Sequence, residues 1–148
     1  ATIEKQLTNS HFKMIEYMDA VTTHTVSGSN IFDVFKKYKM PVIIIQDMSS
    51  SNNLMTYDYM EESLVFANEN KEIILGVVGQ QKLKKNFLLF TPGINMNENS
   101  DTLGQNYKNP RDAKNKGTDI FIIGRGICKA ENPLKELLKY KTACWITK

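Results

Sequence analysis

Apolar runs alternate with amphipathic helical segments along this chain, and that alternation limits the fold more than any other feature. The runs are DAVTTHTV at 19–26, PVIIIQDM at 41–48, IILGVVGQ at 73–80, NFLLFTPGI at 86–94 and DIFIIGRGI at 119–127. Helical spacing of apolar residues marks NIFDVFKKYK, LMTYDYMEESLVFANEN and the closing ENPLKELLKYKTACWITK. Runs that are apolar throughout are typical of parallel strands covered on both faces, so the pattern predicts an α/β fold. An open doubly wound sheet and a (β/α)8 barrel both fit it.

Composition narrows the class of protein and of partner. The 148 residues are 41% apolar and 24% charged, the balance of one globular domain. The net charge of +3 is spread along the sequence, so we expect no nucleic-acid partner, whereas an anionic small molecule is compatible with it. No run is long enough to cross a bilayer and the N-terminus has no signal-peptide pattern, so we expect no membrane partner and a cytoplasmic location. Cys128 and Cys144 match no metal-ligand spacing, and such sparse cysteine use indicates a reducing compartment.

The ends of the apolar runs are where a ligand site is expected, because both candidate folds gather functional residues beyond the C-terminal ends of their strands. Gly124-Arg125-Gly126 is the most specific of these ends. Glycines let the backbone approach an anion, and arginine supplies a planar fork of donors. The alternative is a tight turn that needs positive φ, with a solvated arginine. Residues 104–107, GQNY, offer hydrogen-bonding groups without apolar periodicity, as a ligand loop does, although an ordinary surface loop is the commoner case.

Catalytic candidates are weaker. His24 has no acid or cysteine at ligand spacing and is more simply a structural residue. The serines at 49–51 lack a GxSxG frame, and neither cysteine has an obvious base in the sequence. No lysine stands beside Asp47 in a way that suggests a proton-transfer pair. The polar stretch KNPRDAKNKG is interpreted as a solvated connector.

Four segments in this order, IIIQDMSSS, LLFTPGI, DTLGQNY and DIFIIGRGI, resemble the C-terminal part of orotidine 5'-monophosphate decarboxylase, in the form fused into eukaryotic UMP synthase. The resemblance covers essentially the whole chain and includes TIEKQL, DAVTTHTVSGS and the terminal helix. It implies a parallel (β/α)8 TIM barrel. Residues 1–148 would form a single domain, the C-terminal part of that barrel, supplying about strands 4 to 8.

The resemblance also implies a function. This family of carboxy-lyases, part of pyrimidine biosynthesis, removes CO2 from orotidylate to give UMP without metal or organic cofactor, and acts as a homodimer. The residues that bind the phosphate would be Gln105, Tyr107, Gly124 and Arg125. With the residues implied for the base and the ribose, and with Asn106 of the GQNY loop, the predicted substrate-binding set is Thr2, Ser49, Pro92, Gln105, Asn106, Tyr107, Gly124 and Arg125.

Three of these residues have more particular implied roles. Ser49 matches the serine that hydrogen-bonds the pyrimidine, and Pro92 matches the proline that lines the base pocket. Thr2 matches a threonine that reaches the ribose bound by the partner subunit.

The chain departs from the family in its catalytic motif. The Asp-x-Lys-x-x-Asp sequence expected before Ala1 does not occur in it, so we predict no catalytic residue here and no activity in isolation. A partial barrel exposes unpaired edges, so a complementing N-terminal barrel part or self-association is expected. The alternative function is a catalytically inactive homologue kept as a nucleotide-binding or structural subunit.

Overall fold

The computed structural model describes residues 2–9, 11, 13–97 and 104–145. Among them are five strands, hydrogen-bonded in the order β1-β2-β3-β4-β5, with β1–β2 and β4–β5 in parallel register. The strands are β1 (Val21–Thr23), β2 (Val42–Ile45), β3 (Ile74–Val78), β4 (Leu88–Thr91) and β5 (Ile120–Phe121). The helices are α1 (Thr2–Thr8), α2 (Asn30–Lys37), α3 (Tyr57–Glu69), α4 (Pro110–Asn115), α5 (Arg125–Cys128) and α6 (Pro133–Trp145).

Each predicted apolar run contains one observed strand, and the three predicted helices are α2, α3 and α6. Helices lie between β1 and β2, between β2 and β3, and between β4 and β5, whereas residues 79–87, between β3 and β4, contain no helix. The sequential strand order with these intervening helices is typical of an α/β fold. The α/β prediction is therefore confirmed. None of the helices in the described ranges has the length and apolar character needed to span a membrane.

The first of two compact units comprises residues 1–46 and 56–77. Its core is apolar, and Phe32 of α2 stacks on Phe66 of α3 with ring centroids 6.0 Å apart. Gln46, 1% exposed, donates from Nε2 to the Met60 carbonyl at 2.9 Å and ties the end of β2 to α3. This bond satisfies a polar side chain that would otherwise be costly to bury.

The second unit comprises residues 47–55 and 78–148. Ile94, Ala113 and Tyr140 form a buried cluster in it. Near the start of β4, Asp119 accepts hydrogen bonds from Lys82 Nζ and the Leu89 N–H, both at 2.7 Å. Burial opposes ionisation of Asp119, but these two bonds outweigh it and hold the pKa of its carboxyl below the ordinary value.

The helical parts of this unit include one confirmed prediction and one correction. Asn132 caps α6 as predicted, because its Oδ1 accepts the Lys135 N–H at 2.9 Å. The solvated-connector interpretation of KNPRDAKNKG is wrong for Pro110–Asn115, which form α4. Asn109 caps that helix, with Oδ1 accepting the Asp112 N–H at 2.9 Å, and Pro110 opens its first turn.

Candidate functional site

A cavity of about 210 Å³ lies among the strand-end loops of the second unit. Its walls come from the loops after β2 and β4, from the GQNY loop, and from the end of β5 with the start of α5. Six predicted residues line it, and they are Ser49, Pro92, Gln105, Tyr107, Gly124 and Arg125. The fold thus brings together side chains that are far apart in the sequence.

Arg125 and Tyr107 face one another in this cavity. The Arg125 Cζ lies 5.7 Å from the centroid of the Tyr107 ring, within the range of a cation–π contact. Both side chains are half-buried. The contact restrains the guanidinium, whose planar donor fork has the geometry that a bidentate anion such as phosphate requires.

The GQNY loop is joined to the segment after β2 by main-chain bonds. The Asn106 N–H donates to the Ser49 carbonyl at 2.8 Å, and the Ser51 N–H donates to the Gly104 carbonyl at 2.7 Å. The Gln105 Nε2 also donates to the Ser49 Oγ. Ser49 and Gln105 therefore form one hydrogen-bonded wall, in which Asn106 takes part through its backbone.

Gly93, next to Pro92, has φ +74°, where a glycine is favoured. A Cβ built on it would lie 2.7 Å from the Ser49 Cβ and 2.8 Å from the Asn106 carbonyl oxygen. Beyond it, the Lys108 N–H donates to the Gly93 carbonyl at 2.8 Å. Residues 91–93, TPG, therefore make a turn that packs closely against Ser49 and Asn106.

The positive-φ alternative for Gly124-Arg125-Gly126 is wrong. The glycines with positive φ among the described residues are Gly28, Gly93, Gly104 and Gly117. A Cβ on Gly126 would collide with the hydroxyl of Tyr140, whereas one on Gly124 would meet nothing within 4 Å. The first glycine opens the cavity and the second admits the buried Tyr140, so the triplet presents Arg125 at the first residue of α5.

Tyr140 supports this arrangement from α6. It is 1% exposed, and its hydroxyl accepts the Met96 N–H at 3.2 Å and donates to Asn95 Oδ1 at 3.4 Å. Its hydroxyl also lies close to Gly126, the residue that follows Arg125.

Two predicted residues lie outside the lining of the cavity. Thr2 is the exposed first residue of α1, in the first unit, so its role stays a prediction. Asn106 is exposed and contributes the main-chain bond described above. Residues 101–103, part of the predicted ligand loop, lie outside the described residues.

Sequence reasoning missed a charged cluster beside the cavity. No lysine stands beside Asp47 in the sequence, but the fold brings Lys108 close enough for the two charges to interact. The Lys108 Nζ donates to Gln80 Oε1 at 2.6 Å and to the Gln80 carbonyl at 3.0 Å. The sequence feature that could have pointed to Lys108 is its position directly after the GQNY loop.

The pKa values of this pair shift in the directions that burial dictates. Burial raises the pKa of Asp47, against the Met48 N–H bond and the Lys108 charge. Burial also lowers the pKa of Lys108, aided by the Lys116 charge and opposed by Asp47.

Comparison with known proteins gives consistent relationships. The chain matches the orotidine 5'-phosphate decarboxylase / HUMPS family over residues 1–140. It is 32% identical to uridine 5'-monophosphate synthase of Bos taurus, covering 97% of this chain and 32% of that protein. It is 30% identical to orotidine 5'-phosphate decarboxylase of Aureobasidium pullulans, covering 98% of this chain and 57% of that protein. The chain thus spans between a third and three-fifths of these relatives' length.

Solved structures show the same fold. The orotidine 5'-phosphate decarboxylase of Pyrococcus horikoshii matches with a TM-score of 0.71 at 21% identity, covering 97% of this chain and 66% of that one. The enzyme of Methanocaldococcus jannaschii, complexed with the inhibitor BMP, matches with a TM-score of 0.69 at 22% identity over 97% of this chain and 68% of that one. The fold of this chain is therefore about two-thirds of a TIM barrel, as predicted.

Proposed function

This chain belongs to the orotidine 5'-phosphate decarboxylase / HUMPS family, and we propose that it carries the phosphate- and base-binding part of an enzyme that converts orotidine 5'-monophosphate to UMP and CO2. The relatives that bear this activity in their names support the proposal. The enzyme would be a cytoplasmic homodimer.

The cavity of the second unit carries the proposal. It combines the fixed charge of Arg125, the amide of Gln105 and the side-chain-free surface of Gly124. A phosphate needs charged and neutral donors that converge on one point, and arginine supplies two of them in a plane. Tyr107 would hold the guanidinium in place through the contact described above.

The remaining assignments follow from the family. Ser49 and Pro92 would meet the pyrimidine, and the Gln105 amide on the Ser49 hydroxyl would link the base and phosphate ends of the ligand. Thr2 would reach the ribose bound by a partner subunit.

Decarboxylation requires groups that this chain does not supply. The family holds a lysine among carboxylates to destabilise the substrate carboxylate and to protonate the carbon that loses CO2, and the motif Asp-x-Lys-x-x-Asp does not occur in these residues. We propose that a complementing N-terminal barrel part supplies it.

Calorimetry with UMP tests the binding proposal. We expect binding that depends on the phosphate, so uridine should bind more weakly. Arg125→Ala should cost about 1.5–3 kcal/mol of binding free energy, the range for a hydrogen bond to a charged group. Arg111→Ala, which removes an exposed arginine from α4, is the matched control and should bind as the unmodified protein does. No heat at millimolar UMP, or equal losses in both variants, would refute the proposal.

A further inference from the structure

Lys108 lies where three loops of the second unit meet. Its N–H donates to the Gly93 carbonyl at 2.8 Å, and its own carbonyl accepts the Asn95 N–H at 2.9 Å. These bonds hold its backbone against the segment that follows β4. Because Tyr107 directly precedes it, the position of Lys108 sets where the proposed phosphate-binding loop ends.

The side chain of Lys108 extends the connection to the end of β3. Its ammonium donates to both oxygens of Gln80, the side-chain Oε1 at 2.6 Å and the carbonyl at 3.0 Å. With Oε1 occupied by this donor, the Gln80 Nε2 is turned to donate to the Pro92 carbonyl at 3.4 Å. The lysine therefore orients an amide that contacts the wall of the cavity.

Asp47 supplies the opposite charge. It lies half-buried in the segment that leads to Ser49, and its N–H donates to the Val78 carbonyl at 3.1 Å. A half-buried ammonium without a nearby carboxylate would be costly. The charged groups that act on Lys108 are Asp47, which favours the ammonium, and Lys116, which opposes it.

We propose that Lys108 is a positioning residue whose positive charge holds residues 104–108 against Pro92 and Gly93 in the geometry that binds phosphate. The phosphate part of this inference rests on the proposed function. The positioning part concerns the protein without ligand and can be measured separately. The charge matters because both Gln80 oxygens accept from one ammonium, and hydrogen bonds from a charged donor are roughly twice as strong as those from a neutral one.

Hydrogen–deuterium exchange of residues 104–109 in the full-length, ligand-free protein tests the positioning. The Asn106 and Lys108 N–H groups report directly, since both are bonded across the cavity wall. Lys108→Met should accelerate their exchange about tenfold, as expected when local opening becomes easier. Lys108→Arg should retain most of the protection. Lys135→Met, a substitution on the exposed surface of α6, is the matched control and should change nothing there.

The pH profile separates charge from packing. The ammonium of Lys108 holds the loop more strongly than the neutral amine would, because its hydrogen bonds are charge-assisted. Burial lowers the pKa of Lys108, so protection corrected for intrinsic exchange should fall as the pH rises through that value. Lys108→Arg should retain the exchange protection at alkaline pH because arginine keeps its charge. This comparison remains decisive if Lys108→Met does not fold.

Affinity for UMP adds the functional readout. Lys108→Met should weaken binding about tenfold, and Lys108→Arg should restore it. Unchanged protection in Lys108→Met, or failure of Lys108→Arg to restore protection, would overturn the positioning role. Absence of UMP binding in the unmodified protein would refute the proposed function, while the exchange results would still decide the positioning role.

Discussion

At the scale of single residues, Gly124 and Gly126, which flank Arg125, have different structural roles. Gly126 leaves room for the Tyr140 hydroxyl, and Gly124 leaves the cavity open. Both residues are glycine, so the sequence alone cannot tell whether a glycine is needed for a turn or for close packing. The distinction depends on Tyr140, which approaches from a helix later in the chain.

Gly126→Ala should destabilise the fold by about 1–3 kcal/mol, because its Cβ forces a buried tyrosine to move. Urea denaturation measures the change. Tyr140→Phe removes the nearest contacting atom, so the double variant should lose less stability than the sum of the two single losses. Strict additivity would contradict the proposed contact.

Asp119→Asn should lower stability by about 1.5–3 kcal/mol at neutral pH, since the carboxylate accepts from Lys82 and from the Leu89 N–H. The folded-state pKa of Asp119 is depressed, so its contribution is complete above the unfolded value of about 4 and is lost as the pH falls through the folded one. Denaturation at several pH values should show the gap between variant and unmodified protein closing in acid. A gap independent of pH would argue against the ion pair.

At the scale of elements, strands and long helices were predictable and short helices were not. The runs containing β2 and β3 are apolar and largely buried, whereas α4, with six residues, is too short to show a period. Its sequence signal was the cap, Asn109 followed by Pro110 and Asp112. The last run, residues 119–127, is longer than β5, which occupies Ile120–Phe121 at the end of the sheet order.

Asn109→Ala should cost about 1 kcal/mol by removing the acceptor of the Asp112 N–H. Thermal denaturation gives the value. Asn109→Ser retains a capping oxygen and should lose much less. Asn132→Ala, at the cap of α6, provides a comparison with a similar bond length, and equal stability of Asn109→Ala and Asn109→Ser would mean that the cap does not hold α4.

At the scale of the whole molecule, family membership and fold class were accessible from the order of the strand-end motifs. Each of those motifs is weak alone, and only their shared register identified the barrel. The cluster of the charged residues Asp47 and Lys108 with the amide of Gln80 could not be predicted, because it is assembled from three separate loops. Pairing between distant loops is a property of the folded chain and leaves no local pattern.

The isolated 148-residue chain should show no decarboxylation of orotidine 5'-monophosphate, measured as CO2 release. Adding the family's N-terminal segment with its Asp-x-Lys-x-x-Asp motif should produce turnover, because the lysine and carboxylates then meet the bound substrate. UMP calorimetry on the same samples shows whether the phosphate- and base-binding part is intact. Turnover by the chain alone would show that its own residues perform the chemistry.

The main-chain bonds at Ser49, Gly93 and Gly104 have a consequence for how this protein could be altered. Because main-chain groups join the cavity wall, the side chains of Gln105 and Tyr107 can be changed without removing those main-chain bonds. Ligand preference could therefore be redesigned at Gln105 and Tyr107 with those bonds in place. Gly93 is the exception, since both its φ and its neighbours forbid a side chain, and a library for directed evolution should leave that codon fixed.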